Sequence, residues 1–231
     1  MTAVSVVSLV PSITETLLAW EVRPVAVTRF CPGEGIAHVG GTKNPDIQAI
    51  IGLAPDVVLM DEEENRSEDA DALTASGVAV HATRVRSVDD VASALAGLRG
   101  ILGLAPVDFP GPQPLPAGRR LVFVPIWKRP WMTIGGATYG SSVLASAGLM
   151  NVYAHSVDPY PTVDLDEVAG LHPELVLAPS EPYPFAERHR PDLERVAPVV
   201  FVDGQDLFWW GHRTPAAVER IRRLAAELSG A

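Results

Sequence analysis

Four of the five tryptophans, Trp127, Trp131, Trp209 and Trp210, fall in segments of the second half that read as loops after strands. Tyr139, Tyr160, Tyr183 and Phe208 share those loops, and Glu181 and Asp206 stand among them. Core aromatics recur at helical spacing, whereas aromatics gathered at strand ends form flat apolar walls with polar handles, the lining of a small-molecule site. The chemistry on offer is stacking against a planar ligand; the competing reading is a satellite core beneath the loops. In the first half the candidate groups are polar. Arg29, Phe30 and Cys31 follow a short strand, Thr42, Lys43 and Asn44 share the loop GGTKNPD, and Asp61-Glu62-Glu63-Glu64-Asn65-Arg66 follows another strand. Such an acid run is either a solvated face or, at the carboxyl end of a parallel strand, a cleft rim.

Catalytic and metal signatures are missing from this set. The chain has no GxSxG elbow, no dinucleotide fingerprint and no GxxxxGK[ST] loop. None of the six histidines, His38, His81, His155, His172, His189 and His212, shows HxH or HExxH spacing, and each is expected on the surface or in a loop. His212 is the candidate for an axial ligand to a metal that arrives inside a chelate. Cys31 has no CxxC companion, which leaves a buried structural thiol or a lining group. The sequence therefore predicts a binding protein rather than an enzyme, with no tightly bound cofactor. A tetrapyrrole- or metal-chelate-processing enzyme using Glu63, Glu181 or His212, and a protein whose aromatic cleft holds a peptide, are the competing classes.

The elements that must position these residues repeat. Asp46 to Met60 reads DIQAIIGLAPDVVLM and Asp164 to Ala178 reads DLDEVAGLHPELVLA, an offset of 118 residues (164 − 46) that pairs Asp46 with Asp164, Gly52 with Gly170 and Pro55 with Pro173. Each copy predicts a short amphipathic helix ended by glycine in left-handed geometry, a proline that stops continuation, and an apolar run of strand length. Two similar α/β lobes follow from this unit. Before the first copy, Val4 to Val10 reads as a buried parallel strand, and Ser12-Ile13-Thr14-Glu15 fits a capping box whose free amides could hold an anion or a polar ligand edge. Asn44 is expected to cap the helix of the first copy, with Pro45 in its first turn. Ser87 to Leu102 reads as a long helix, and Pro106 to Gly118, with five prolines in thirteen residues, reads as a stiff crossing. A strand from Arg119 to Ile126 opens the second lobe, and Thr214 starts a closing helix whose Val218, Ile221, Leu224 and Leu228 pack inward. The domain boundaries are thus 1–86 for the first lobe, 87–118 for helix and crossing, and 119–231 for the second lobe.

Composition excludes some partners. A net charge of −10 over 231 residues, with no basic run, argues against nucleic acid and anionic membrane surfaces. No apolar stretch approaches the ~18 residues of a membrane span. The first basic residue is Arg23, so no positive n-region precedes the first strand, and the chain as written is expected in the cytoplasm.

The motifs SLVPSITETL at Ser8 to Leu17, GGTKNPD at Gly40 to Asp46, LAPDVVL at Leu53 to Leu59 and LHPELVL at Leu171 to Leu177 resemble the helical-backbone substrate-binding proteins of ABC importers, especially the cobalamin-binding branch with its siderophore- and haem-binding relatives. The resemblance implies two α/β lobes, each a parallel sheet flanked by helices, joined by one long helix with the ligand cleft between them. It implies a corrinoid or similar metal chelate as ligand and an ABC permease as partner. On the first wall it places Ser12, Arg29, Phe30, Cys31, Thr42, Lys43, Asn44, Glu63 and Asn65. On the second it places Trp127, Trp131, Tyr139, Tyr160, Glu181, Tyr183, Asp206, Phe208, Trp209 and Trp210. Glu68 and Glu187 stand nearest the acidic residues that dock onto permease arginines in the family. The chain departs from the pattern in lacking a signal peptide and a lipoprotein cysteine, which leads to the expectation of a cytoplasmic relative; a periplasmic protein whose signal is trimmed is the alternative.

Overall fold

The β-branched apolar runs become parallel strands in the computed structural model, which describes residues 4–110 and 120–227. Pro112, Pro114 and Pro116 of the proline-rich crossing, and Leu228, lie outside the described residues. The chain divides into two compact units. The first takes the chain up to Val85, Asp90–Phe109 and Trp210–His212; the second takes Arg86–Asp89, the chain from Pro110 to Trp209, and the segment from Arg213 onward.

In the first unit the elements run β1 (Val6–Ser8), α1 (Pro11–Ala19), β2 (Ala26–Val27), β3 (Ala37–His38), β4 (Gly40–Gly41), β5 (Asn44–Pro45), α2 (Ile47–Leu53), β6 (Val57–Asp61), α3 (Ser67–Ala75), β7 (Val80–Thr83) and α4 (Val88–Ile101). Its sheet has the order β3-β2-β1-β6-β7, with Val7 opposite Ala26 on one side and Val58 on the other, all parallel. A strand with parallel neighbours on both edges and helices on both faces has no wet side, and every residue of β6 is buried. The core gathers Val7, Leu9, Ile50, Val58, Met60 and Leu73. α4 turns Val91, Leu95 and Leu98 inward, the face expected from its spacing. Its first two residues belong to the second unit and the rest to the first.

The second unit runs β8 (Arg120–Phe123), β9 (Pro125–Trp127), β10 (Met132–Thr133), α5 (Tyr139–Ser146), β11 (Leu149–Asn151), α6 (Leu165–Gly170), β12 (Leu175–Pro179), a 3-10 turn (Glu187–His189), α7 (Arg190–Leu193), β13 (Val199–Val202), α8 (Gly204–Phe208) and α9 (Thr214–Glu227). Its parallel sheet, β11-β8-β12-β13, repeats the first unit's β2-β1-β6-β7. Phe123, Val168, Val176, Phe185 and Leu193 form its core.

The strand expected from Arg119 to Ile126 breaks at Val124. The carbonyl of Val124 accepts from the Thr133 hydroxyl at 2.7 Å, and Pro125 has no amide to continue the ladder. β9 instead forms an antiparallel ribbon with β10. The repeated unit is present in both copies, with one correction. Gly52 and Gly170 are not the left-handed residues; Ala54 (φ 45°) and His172 (φ 52°) are, two positions further on and themselves 118 apart (172 − 54). Two further caps differ from expectation. α2 is capped by the Asp46 carboxylate, which accepts from the amide of Ala49 at 3.0 Å, while Asn44 and Pro45 lie in β5. α1 begins at Pro11 with Val10 before it and no side-chain cap, so Ser12 sits inside the first turn and the Ser12/Glu15 box does not form. Proline at the first helical position has no amide to leave unpaired there.

Candidate functional site

In the first unit the carboxyl ends of the strands carry a buried polar layer. The Ser8 hydroxyl accepts from Thr14 at 2.8 Å, the Thr28 hydroxyl lies 3.2 Å from the Cys31 sulfur and 3.4 Å from the Thr42 hydroxyl, and Thr83 donates to the Asp61 carboxylate at 2.7 Å. Asn65 ties this layer together. Its side-chain oxygen accepts from the Asp61 amide at 2.9 Å, and its nitrogen donates to the carbonyl of Thr42 at 3.0 Å and to that of Leu9 at 3.4 Å. Burial pushes the Asp61 carboxyl up despite the Thr83 hydrogen bond, and likewise pushes the Cys31 thiol up, as expected for inert structural groups. The GGTKNPD loop folds as the β4–β5 ribbon, in which Gly40 has φ +88° and a Cβ added there would stand 2.7 Å from the Asn44 carbonyl oxygen. Only glycine permits that approach.

Several residues expected on the first wall are therefore interior: Ser12, Thr42 and Asn65 are buried, and Cys31 is half-buried behind Thr28. Arg29, Phe30, Lys43 and Asn44 are exposed. The Arg29 guanidinium lies 4.9 Å from the centre of the Phe30 ring, which is 59% exposed, and Lys43 donates to the Glu63 carbonyl at 2.7 Å. Glu68 is exposed in the first turn of α3.

The second unit assembles an aromatic wall from two loops. The β9–β10 ribbon supplies Trp127 and Trp131, and the loop after β12 supplies Tyr183 and Phe185. Trp127 meets Tyr183 edge-on at 5.4 Å, Tyr183 lies 4.8 Å from Phe185, and Phe185 stacks on Trp131 at 6.0 Å with planes 6° apart. Phe185 is core, Trp131 and Tyr183 are half-buried against it, and Trp127 keeps 44% of its surface exposed. The wall is thus the outer layer of the second unit's hydrophobic core. Lys128 stands 5.3 Å over Trp131 and is held by Asp192 at 2.5 Å.

Beside it, Glu181 is half-buried, and burial raises its carboxyl, opposed by a hydrogen bond from Trp209 and by the charge of Arg213. Arg213 also lies 5.5 Å from the Trp209 ring. Tyr160 is at the surface with 36% exposure. Phe208 is half-buried against the backbone of α5, where a Cβ on Gly140 would come within 3.2 Å of its ring. Tyr139 is buried, hydrogen-bonded to Thr214 at 2.8 Å, and its hydroxyl is held well above its ordinary value by that burial. Asp206 is buried too, clamped by Arg220 at 2.7 Å, with Arg213 at 3.7 Å. Trp210 is 4% exposed and belongs to the first unit, whereas Trp209 belongs to the second. Tyr139 and Asp206 thus have their polar atoms hydrogen-bonded within the second unit. His212 points toward Glu15, 3.9 Å away, and its amide donates to Thr16 at 3.2 Å. Glu187 is exposed and gripped by Arg190 at 2.6 and 2.8 Å.

His189 carries no signal in the sequence. Expected on the surface or in a loop, it lies in a short 3-10 turn but is only 4% exposed and packs edge-on to both Tyr183 and Phe185 at 5.4 Å. The turn lies outside any periodic face from which burial could be read. Among the described residues no group of three or more His, Cys, Asp or Glu could hold a metal ion, and no helix is long and apolar enough to cross a membrane.

Two parallel α/β units with the same strand order, one of them carrying an aromatic wall at its strand ends, are similar in fold to the two-lobed periplasmic binding proteins, and the relatives found are binding proteins. The fold is similar to that of the periplasmic vitamin B12 binding protein of Vibrio cholerae, with a TM-score of 0.76 and 17% identity over 96% of each chain. It is similar also to the periplasmic heme-binding protein BhuT in complex with two hemes, with a TM-score of 0.78 and 19% identity over 96% of this chain and 97% of that one. In sequence the chain is 25% identical over 197 residues to the vitamin B12-binding protein of Salmonella typhi, covering 74% of this chain and 71% of the relative. The vitamin B12-binding protein of Yersinia pestis is 25% identical over 195 residues, covering 74% and 68%. No protein-family model matches the chain. The resemblance read from the four motifs is borne out by these relatives.

Proposed function

We propose that this chain binds a flat, metal-bearing macrocycle, a corrinoid or a related tetrapyrrole, and that the aromatic wall of the second unit is its principal contact. The carrying observation is Trp127, a large indole left 44% exposed yet held edge-on by Tyr183, itself seated on the core. An exposed ring that is already ordered loses little freedom on stacking, which favours affinity. Glu181, Trp209 and Tyr160 are the polar and aromatic groups of the second unit that this reading assigns to the ligand's edge. The sequence relatives favour a corrinoid, since those named above are vitamin B12-binding proteins. Titration with cobalamin and haem, read by tryptophan quenching and by ligand absorbance, tests this: saturable binding of either without turnover supports it, and no binding of either refutes it.

The similar structures named above are of periplasmic proteins, which favours the extracytoplasmic alternative over action in the cytoplasm, and fractionation of cells expressing the native gene distinguishes the two. As receptor for an importer the protein would present Glu68 and Glu187 to permease arginines. Glu187 would have to exchange or share its present partner, Arg190.

A further inference from the structure

His189 is a buried group of the second unit's wall that packing alone does not explain. Its Nδ1 accepts the backbone amide of Ala186 at 3.1 Å, so Nδ1 carries no proton. The ring proton therefore sits on Nε2, which faces the Tyr183 hydroxyl at 3.4 Å. An imidazole with its proton there donates to the phenol oxygen, and the phenol keeps its own proton for another acceptor. No other hydrogen-bond partner of that hydroxyl is found among the described residues.

We infer that His189 is a positioning residue for ligand binding, fixing Tyr183 as an outward hydrogen-bond donor to an acceptor oxygen, amide or carboxylate, on the edge of the macrocycle. This rests on the proposed ligand reading and deepens it, because it assigns the polar half of an otherwise apolar contact. The groups facing His189 agree with a neutral ring. Arg188 adjoins it in the 3-10 turn, Lys128 comes from the β9–β10 ribbon, and the opposing charge is Asp192 on α7. Burial, then those two cations, hold the imidazole below its usual value. Protonation would place a second N–H on Nδ1 against the Ala186 amide, two donors face to face, and the turn would have to give way. Binding is then intact while the ring is neutral and weakens as pH falls through the depressed value; acid below the ordinary histidine value of about 6.5 is the window.

The test compares wild type, H189N, Y183F and the double variant, each checked for folding by thermal melting, with cobalamin and haem as probes. Asparagine keeps an acceptor for Ala186 and loses the group facing Tyr183. Affinity is expected to fall about three- to tenfold in each single variant and no further in the double. Additive losses, or an unchanged H189N, overturn the assignment. Without ligand, the fluorescence of Trp127 and Trp131 is expected to shift with acid in wild type and not in H189N. That readout holds even if neither probe binds, so failure of the ligand reading is distinguishable from failure of the His189 to Tyr183 pairing, which an identical titration in both proteins would end.

Discussion

Asn65 looks in the sequence like a rim residue following four acids, and in the structure it is the tie beneath that rim. Replacing it by alanine removes the acceptor of the Asp61 amide at 2.9 Å, the donor to Thr42 at 3.0 Å and a weaker donor to Leu9 at 3.4 Å, all in a site where Asn65 is 7% exposed. A buried amide left without its acceptor costs about 1–3 kcal/mol, and each lost neutral hydrogen bond roughly 1 kcal/mol more. The 3.4 Å contact is too long to count fully. The total comes to about 2–4 kcal/mol, which for a chain of this size lowers Tm by roughly 5–15 °C. Urea unfolding of N65A should show a lower midpoint at unchanged slope, and N65D should do no better, because it keeps the acceptor but loses both donors and sets a second carboxylate beside Asp61. A loss below about 1 kcal/mol would refute the account of Asn65 as the tie between β1, β6 and the β4–β5 ribbon.

Three further outcomes follow from burial and backbone geometry. Trp127→Ala should weaken cobalamin or haem binding by on the order of 1–3 kcal/mol with a small change in Tm, whereas Trp210→Ala, which empties a site only 4% exposed, should cost about 3–5 kcal/mol of stability; calorimetry and denaturation separate the two effects. Asp61→Asn should stabilise the protein at neutral pH by on the order of 1 kcal/mol. Burial raises the Asp61 carboxyl, so the folded state binds its proton more tightly than the unfolded chain does, and stability contributed by the protonated form is lost as pH rises through the folded-state value. The substituted side chain is accommodated because the Thr83 hydroxyl, 3.1 Å from the Met60 carbonyl, can donate there and accept from the new carboxamide nitrogen in place of donating to the carboxylate; a pH–stability profile flatter than wild type in acid is the check. Ala54→Gly should gain about 0.5 kcal/mol by relieving a left-handed alanine, read as a higher urea midpoint.

The architecture was legible because parallel strands buried on both faces announce themselves as apolar runs, and β6 and β12 are the clearest of them. Two-residue strands such as β3 and β10 carry too few side chains for any period, and the three residues of β11 directly after α5 are little better. At the site, the exposed rings of Trp127 and Phe30 stand where loop position implied. Tyr139, Asp206 and Trp210 were read as loop residues yet are buried, the first two in α5 and α8, and Tyr139 and Asp206 are held by the long-range partners Thr214 and Arg220. His189 was invisible for the same reason: its partner Ala186 is local, but its burial against Phe185 depends on how the loop folds back onto the core.

The two left-handed residues, Ala54 and His172, offer a means of telling scaffold from ligand contact. In a saturation library selected only for soluble expression, both positions should drift toward glycine or asparagine together, since the demand there comes from the bend itself. Positions such as Trp127 should drift freely under that selection and hold their identity only when the ligand is made the survival requirement.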